Sequence, residues 1–136
     1  MVAGFSPDPV EWIDRFDVGL LPTEFPHESL PTVVMEYLFC GKPVIATDVG
    51  EVATMVAAPS GELAGTLVNP DEATLTDQLA AAMQAYLDDP ALRRRHAALA
   101  PAAFAKFDMG KCAAAYARLY AEVCGDPISS SISASH

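Results

Sequence analysis

The chain has 136 residues and a mass of 14.4 kDa, which is enough for one domain with a single hydrophobic core. Hydrophobic residues make up 51% of the sequence and charged residues 19%, a composition that excludes a wholly disordered chain. The net charge of −10 disfavours binding to nucleic acids, because an acidic surface repels phosphate backbones.

The hydrophobic segments predict neither a membrane-spanning helix nor a secretory signal. The longest apolar runs, residues 32–35 and 37–40, are far too short to span a bilayer. Residues 1–5 lack a basic start and a long apolar stretch, so no secretory signal is expected. The cysteines number three and form no Cys-x-x-Cys pair, which indicates a reducing compartment, and we expect a cytoplasmic protein.

The first half of the chain alternates short apolar runs with helical segments. The predicted strands are residues 2–5, 17–21, 43–47 and 65–68. The predicted helices begin at Pro9, run from 31 to 40, and run from 50 to 56. This order predicts an α/β fold, a Rossmann-like parallel sheet flanked by helices. The continuous apolar character of 17–21 and 43–47 predicts burial on both faces.

The second half is helical. Four side chains recur every four residues and predict one apolar helix face: Leu75, Leu79, Met83 and Leu87. A last helix, capped by Asp108, is predicted to bury Cys112, Tyr116, Leu119 and Val123. Residues 126–136 are rich in serine and are predicted to be a disordered tail, so one domain is expected over 1–125.

Two loops have the position of a ligand site. Ligands of an open parallel sheet bind beyond the carboxyl ends of the strands, where loops 22–31 and 48–51 are predicted. Each loop leads into a helix whose free N–H groups and positive dipole end favour an anion such as phosphate. Lys42 is predicted at the opposite, negative end of helix 31–40.

Glu36 is the only charged residue of that helix, which is apolar almost all round and is therefore predicted to be buried. A buried carboxylate is costly unless it is paired or hydrogen-bonded. The hydroxyls of a nucleotide ribose would supply donors, but solvent or a neighbouring arginine would serve equally well. Glu28 precedes the helix, where a carboxylate complements the helix dipole without any ligand.

Together these segments resemble a known family. Residues 28–36 read Glu-Ser-Leu-Pro-Thr-Val-Val-Met-Glu, and residues 40–51 read Cys-Gly-Lys-Pro-Val-Ile-Ala-Thr-Asp-Val-Gly-Glu. With further matches at 65–68, 89–93, 107–108, 116 and 119–120, the sequence resembles the group 1, family-4 retaining glycosyltransferases of the GT-B fold. Their motif is a pair of glutamates separated by seven residues. By this resemblance the chain is the later part of the C-terminal, donor-binding domain.

The resemblance implies a role for each motif residue. Glu28 is the implied catalytic residue, in contact with the donor sugar, and Glu36 is implied to bind the nucleotide ribose. The other implied donor-binding residues supply backbone amides for the sugar and the diphosphate: Ser29, Leu30, Thr32 and Val33. The implied reaction transfers a sugar from a nucleotide-diphosphate sugar with retention, and it needs no metal and no other cofactor.

Some parts of the family's fold have no counterpart in the sequence. These are the acceptor-binding N-terminal domain and the front half of the donor domain, which holds the cations that neutralise the diphosphate. We therefore expect the chain alone to transfer no sugar and to need the missing domain or another chain as a partner. In the family, front-half strands lie beside the segment that corresponds to 17–21, so this strand should expose an apolar edge.

Two other functions remain as alternatives. One is a non-catalytic module of the same fold that binds a nucleotide sugar or a partner protein. The other is an unrelated Rossmann-like module, for which a dinucleotide role is disfavoured because the sequence lacks Gly-x-Gly-x-x-Gly.

Overall fold

The computed structural model of the chain describes residue 4 and residues 6–124, which belong to two compact units. The first unit extends to Lys106 and the second begins at Phe107. Apart from Gly4, the strand predicted at 2–5 lies outside the described residues. The predicted tail at 126–136 and the predicted domain boundary before it also lie outside them.

The first unit is built on a parallel sheet. Its three strands lie side by side in chain order: β1 (Gly19–Leu21), β2 (Val44–Thr47) and β3 (Gly65–Val68). The helices before and between the strands are α1 (Pro9–Ile13), α2 (Thr32–Phe39) and α3 (Val52–Val56). After β3 follow α4 (Leu75–Asp88) and α5 (Pro90–Phe104), and a 3₁₀ turn (Ala105–Phe107) precedes α6 (Met109–Cys124) of the second unit. The prediction of an α/β fold with a parallel sheet and flanking helices is confirmed.

The sheet is buried most deeply at its middle strand. All four residues of β2 are buried, as predicted from its apolar sequence. Strand β1 differs, because Leu20 is 37% exposed and β1 pairs only with β2 among the described residues. The prediction that β1 is buried on both faces is therefore wrong, whereas the expected apolar edge is present among the described residues.

Helix α2 buries one side only. Val34 and Leu38 are buried, but Phe39 is 61% exposed and meets the ring of Phe104 edge to face at 5.4 Å. The prediction that this helix is buried almost all round is wrong. Its apolar content exceeds what the face packed on the sheet can cover.

The apolar face of α4 lies at a different angle from the predicted one. Met83 is 43% exposed and Leu87 is 72% exposed. The buried side chains are Leu75, Ala82 and Tyr86. An α-helix turns about 100° per residue, so a spacing of four rotates each side chain about 40° from the one before. The predicted row of three leucines and one methionine therefore drifts off the packed face after its first members.

The second unit contains α6. Asp108 accepts a hydrogen bond from the Lys111 N–H at 3.1 Å, which confirms the predicted cap. The predicted buried face is wrong, since Tyr116, Leu119 and Val123 are all more than half exposed. Cys112 is exposed as well. Within the described part of this unit, α6 has no second helix or strand to cover that face.

Lys42 binds the end of a different helix from the predicted one. Its Nζ donates to the main-chain oxygen of Asp14 at 2.8 Å and lies 3.9 Å from the Asp14 carboxylate. Asp14 is the C-terminal cap of α1, so Lys42 does complement a negative helix end, but not that of α2. Because Lys42 precedes β2, it lies at the amino-terminal end of the strands.

A hydrogen-bonded trio joins β3, α4 and α5. The Thr66 hydroxyl donates to the Tyr86 oxygen at 3.3 Å, and that oxygen lies 2.7 Å from Nδ1 of His96. The tyrosine proton can be donated to Nδ1 only while that nitrogen carries no proton of its own, as in one tautomer of the neutral imidazole. Burial lowers the pKa of His96, and the charge of Arg95 lowers it further, while Glu62 acts in the opposite direction.

We expect stability to fall as the pH drops below the ordinary histidine value of 6.5. The unfolded chain then takes up a proton on His96 before the folded chain does, so protonation favours unfolding. Urea unfolding at about pH 7.5 and about pH 5.5 measures this, because carboxylates stay ionised across most of that window. The urea midpoint should fall more for the unchanged chain than for His96→Gln. Equal decreases in both proteins would contradict the prediction.

Candidate functional site

The two predicted ligand-site loops, 22–31 and 48–51, meet at the carboxyl ends of the strands and are called the crevice loops below. Because the sheet is parallel, the loop after β1 and the loop after β2 leave it at the same edge. The N–H of Glu51 donates to the main-chain oxygen of Glu28 at 2.9 Å. The predicted pair of loops is therefore one joined structure, and Glu28 lies at the junction.

Gly50 allows this close approach. It has a φ of +50°, a backbone conformation that side chains rarely adopt. A Cβ added at Gly50 would lie 2.0 Å from the main-chain oxygen of Glu28. Only glycine therefore fits between the two loops.

Two threonines connect Glu28 to the sheet. Thr47, fully buried at the end of β2, donates through its hydroxyl to the main-chain oxygens of Leu21, at 3.4 Å, and Thr23. The Thr23 hydroxyl donates to Oε2 of Glu28 at 3.3 Å and accepts from the Phe25 N–H at 3.2 Å. The half-buried Glu28 carboxylate is thereby held by the loop that follows β1.

The start of α2 presents free N–H groups. Pro31 is the N-cap and supplies no side-chain hydrogen bond, and its carbonyl accepts from Val34 at 3.0 Å. Four neighbouring N–H groups donate to no acceptor in the described part of the chain: Ser29, Leu30, Thr32 and Val33. Free N–H groups together with the positive end of the helix dipole favour an anion here.

A pocket of about 280 Å³ lies where α2 faces α1 and the residues before α1. Its lining residues are Gly4, Ser6, Pro9, Trp12, Ile13, Phe16, Val33, Glu36 and Tyr37. Glu36 is the only charged residue among them. Its half-buried carboxylate accepts no hydrogen bond from the described part of the chain. A ligand that donates hydrogen bonds would satisfy it.

Aromatic side chains surround Glu36. Burial raises the pKa of the Tyr37 phenol, and the charge of Glu36 raises it further, so Tyr37 stays neutral at physiological pH. The Tyr37 hydroxyl donates to the Leu20 carbonyl at 3.4 Å. The Arg15 guanidinium lies 5.8 Å from the centre of the Trp12 ring, within the range of a cation–π contact.

The predicted site residues divide between two places. Val33 and Glu36 line the pocket against α1, whereas Glu28 does not line it and is bound by Thr23. The exposed residues Ser29, Leu30 and Thr32 lie between them along the chain. The structure thus joins the two motif glutamates through one loop and the first turns of α2, but it does not place them in one pocket.

Several contributing residues were not predicted as site residues. Trp12 belongs to the helix predicted to begin at Pro9, and an exposed aromatic side chain on such a short helix is a usable signal of binding. Thr23 and Thr47 carry no local signal, because their importance depends on contacts between separate loops. Gly50 was predicted as a helix start and not as the contact point with Glu28.

Two further properties of the described residues concern metals and membranes. No three His, Cys, Asp or Glu side chains in this part of the chain come together as a metal site would require. None of its helices has the length and apolar character needed to cross a bilayer.

Comparison with known proteins assigns the family. The profile of the glycosyl transferases of group 1 matches residues 1–89, which include the whole sheet, both crevice loops and α2. The chain belongs to the group 1 glycosyltransferases. No match was found among curated proteins or among solved structures. In this glycosyltransferase, α5 and α6 lie beyond the matched region.

Proposed function

We propose that this glycosyltransferase chain binds a nucleotide-diphosphate sugar as the donor-binding part of a retaining, family-4 enzyme of the GT-B fold. The observation that carries the proposal is Glu36, a half-buried carboxylate with no donor from the described chain, in a pocket whose other described lining residues are uncharged. A nucleotide ribose presents two adjacent hydroxyls, which are suitable donors to one carboxylate.

The remainder of the nucleotide fits the surroundings of Glu36. The aromatic walls at Trp12 and Tyr37 suit a planar base, and ligand pockets are commonly apolar with a few polar groups that fix orientation. The free N–H groups before and at the start of α2 suit the diphosphate. Charge develops on the phosphate as the nucleotide leaves, and these dipoles would stabilise it. Glu28 would then face the transferred sugar.

A non-catalytic role in binding a nucleotide sugar or a partner protein is the alternative. The observation that favours it is the absence of any lysine or arginine from the described lining of the pocket. Lys42 is bound to Asp14, and Arg93 is paired with Asp17 at 2.7 Å. Both proposals share the expectation that the chain alone transfers no sugar and needs an acceptor domain or another chain. A cytoplasmic location also stays a prediction.

We expect Glu36→Ala and Glu28→Ala to affect binding differently. Glu36→Ala should weaken both nucleoside diphosphates and nucleotide sugars by ~1.5–3 kcal/mol, the range for hydrogen bonds to a charged group. Glu28→Ala should weaken only the nucleotide sugars, because its partner is the sugar. Calorimetry with uridine and guanosine diphosphates, and with their glucose and mannose conjugates, measures the difference.

Glu11→Ala is the matched control. Glu11 is an exposed glutamate of α1, close along the chain to the pocket residues but not among them. The Glu11→Ala substitution removes the same charge as the other two substitutions and should leave ligand binding unchanged. Equal losses in the Glu36 and Glu28 variants, or no loss in either, would reject these roles. Binding without turnover in a protein that also has the acceptor domain would favour the non-catalytic alternative.

A further inference from the structure

Within the described part of the chain, the hydroxyl of Thr23 is the only side-chain group that donates a hydrogen bond to the Glu28 carboxylate. We propose that Thr23 is a positioning residue: its hydroxyl orients the Glu28 carboxylate toward the donor sugar. This inference rests on the proposed function, because it assumes that Glu28 faces the sugar. It goes beyond the two motif glutamates by assigning a role to a residue outside the motif.

Thr23 can orient Glu28 because Thr23 is itself fixed. Its main-chain oxygen accepts from the buried Thr47 at the end of β2, and its hydroxyl oxygen accepts from the Phe25 N–H at 3.2 Å. With that oxygen occupied as an acceptor, the hydroxyl proton is available for Glu28. The end of β2 thereby fixes the direction in which the Thr23 hydroxyl donates to the Glu28 carboxylate.

The orientation matters because a glutamate side chain has several rotatable bonds. Restricting such a side chain costs conformational entropy, which the free energy of binding would otherwise have to offset. A carboxylate held in place before the donor arrives avoids much of that cost at the moment of binding.

A purely structural role for Thr23 is the competing explanation, since the contact with Phe25 also stabilises a turn. Three variants separate the two roles. Thr23→Val keeps the shape and removes the hydroxyl, whereas Thr23→Ser keeps the hydroxyl. Ser60→Ala is a matched control, because Ser60 donates to the Glu62 carboxylate at 3.3 Å and accepts from the Glu62 N–H at 3.3 Å, away from the crevice.

The first measurement needs no ligand. The ¹³C resonance of the Glu28 carboxyl carbon reports whether a hydroxyl donates to it. We expect this resonance to move in Thr23→Val, to return toward its original position in Thr23→Ser, and to stay in place in Ser60→Ala. The Glu36 resonance should stay in place in all three variants. An unmoved Glu28 resonance in Thr23→Val would overturn the proposal.

The second measurement is binding, with uridine diphosphate glucose and guanosine diphosphate mannose as the probes. Thr23→Val should weaken the better-bound probe about tenfold, a change of about 1.4 kcal/mol, and should leave the parent nucleoside diphosphate unchanged. Thr23→Ser should restore binding. A structural defect of the loop would instead weaken both ligands, and this outcome would overturn the proposal.

The two proposals can fail separately. If Glu28→Ala weakens probe binding but Thr23→Val does not, the role of Thr23 is wrong and the proposed function stands. If the unchanged chain binds no probe, the proposed function is contradicted and a role of Thr23 in donor binding falls with it. The ligand-free resonance then shows whether the hydrogen bond alone is present.

Discussion

Replacing Gly50 with alanine is expected to separate the two crevice loops and to abolish nucleotide-sugar binding. The new Cβ would lie 2.0 Å from the main-chain oxygen of Glu28, and the φ of +50° is unfavourable for alanine. Overpacking and a strained φ each cost roughly 1–3 kcal/mol, so the free energy of unfolding should fall by about 2–6 kcal/mol. Calorimetry with a nucleotide sugar and urea unfolding measure the two effects.

Gly61→Ala is the matched control for this substitution. Gly61 also has a positive φ, of +86°, but an added Cβ would meet no atom within 4 Å. It therefore carries the conformational cost without the collision and lies in the loop before β3, away from the crevice. We expect a modest loss of stability and unchanged binding. Equal effects of both substitutions would show that contact with Glu28 is not what requires glycine at position 50.

The Gly50 contact also shows where prediction from the sequence ends. Two strands were predicted within one residue of their observed bounds, 43–47 against Val44–Thr47 and 65–68 against Gly65–Val68. Their short apolar runs between turn residues are a local signal that needs no knowledge of the rest of the chain. The crevice loops followed from the strands, because a parallel sheet fixes the edge at which they emerge.

What could not be predicted depends on contacts between distant segments. Thr23 and Thr47 are ordinary threonines in the sequence, and only the packing of one loop against another strand brings them together. The exposed face of α6 is a second case. Its apolar spacing indicates a face suited to burial, but the spacing carries no information about what covers it. Glu36 could be predicted in part. The sequence shows that it is the only charged residue of an apolar helix, but it does not show that α1 forms one wall of the pocket around it.

Among substitutions that add one methyl group to the sheet, Gly65→Ala is expected to cause the largest loss of stability. A Cβ at Gly65 would lie 1.9 Å from the main-chain oxygen of Val44 and 2.9 Å from its nitrogen. These atoms belong to β2, which pairs with β3 through Val44 and Gly65. Backbone inside a parallel sheet cannot move aside as a flexible side chain can, so the two strands must separate locally.

The expected loss of stability from Gly65→Ala is more than about 4 kcal/mol, a magnitude that is exceptional for a single substitution. Gly110→Ala is the comparison, because Gly110 also has no positive φ and its nearest obstacle is the movable Asp108 carboxylate at 3.1 Å. Alanine in a helix is favoured over glycine by up to about 1 kcal/mol, so that variant should keep or raise its urea midpoint. Circular dichroism during urea unfolding compares the two variants. A Gly65→Ala protein with an unchanged midpoint would show that β2 and β3 do not pair in the register described.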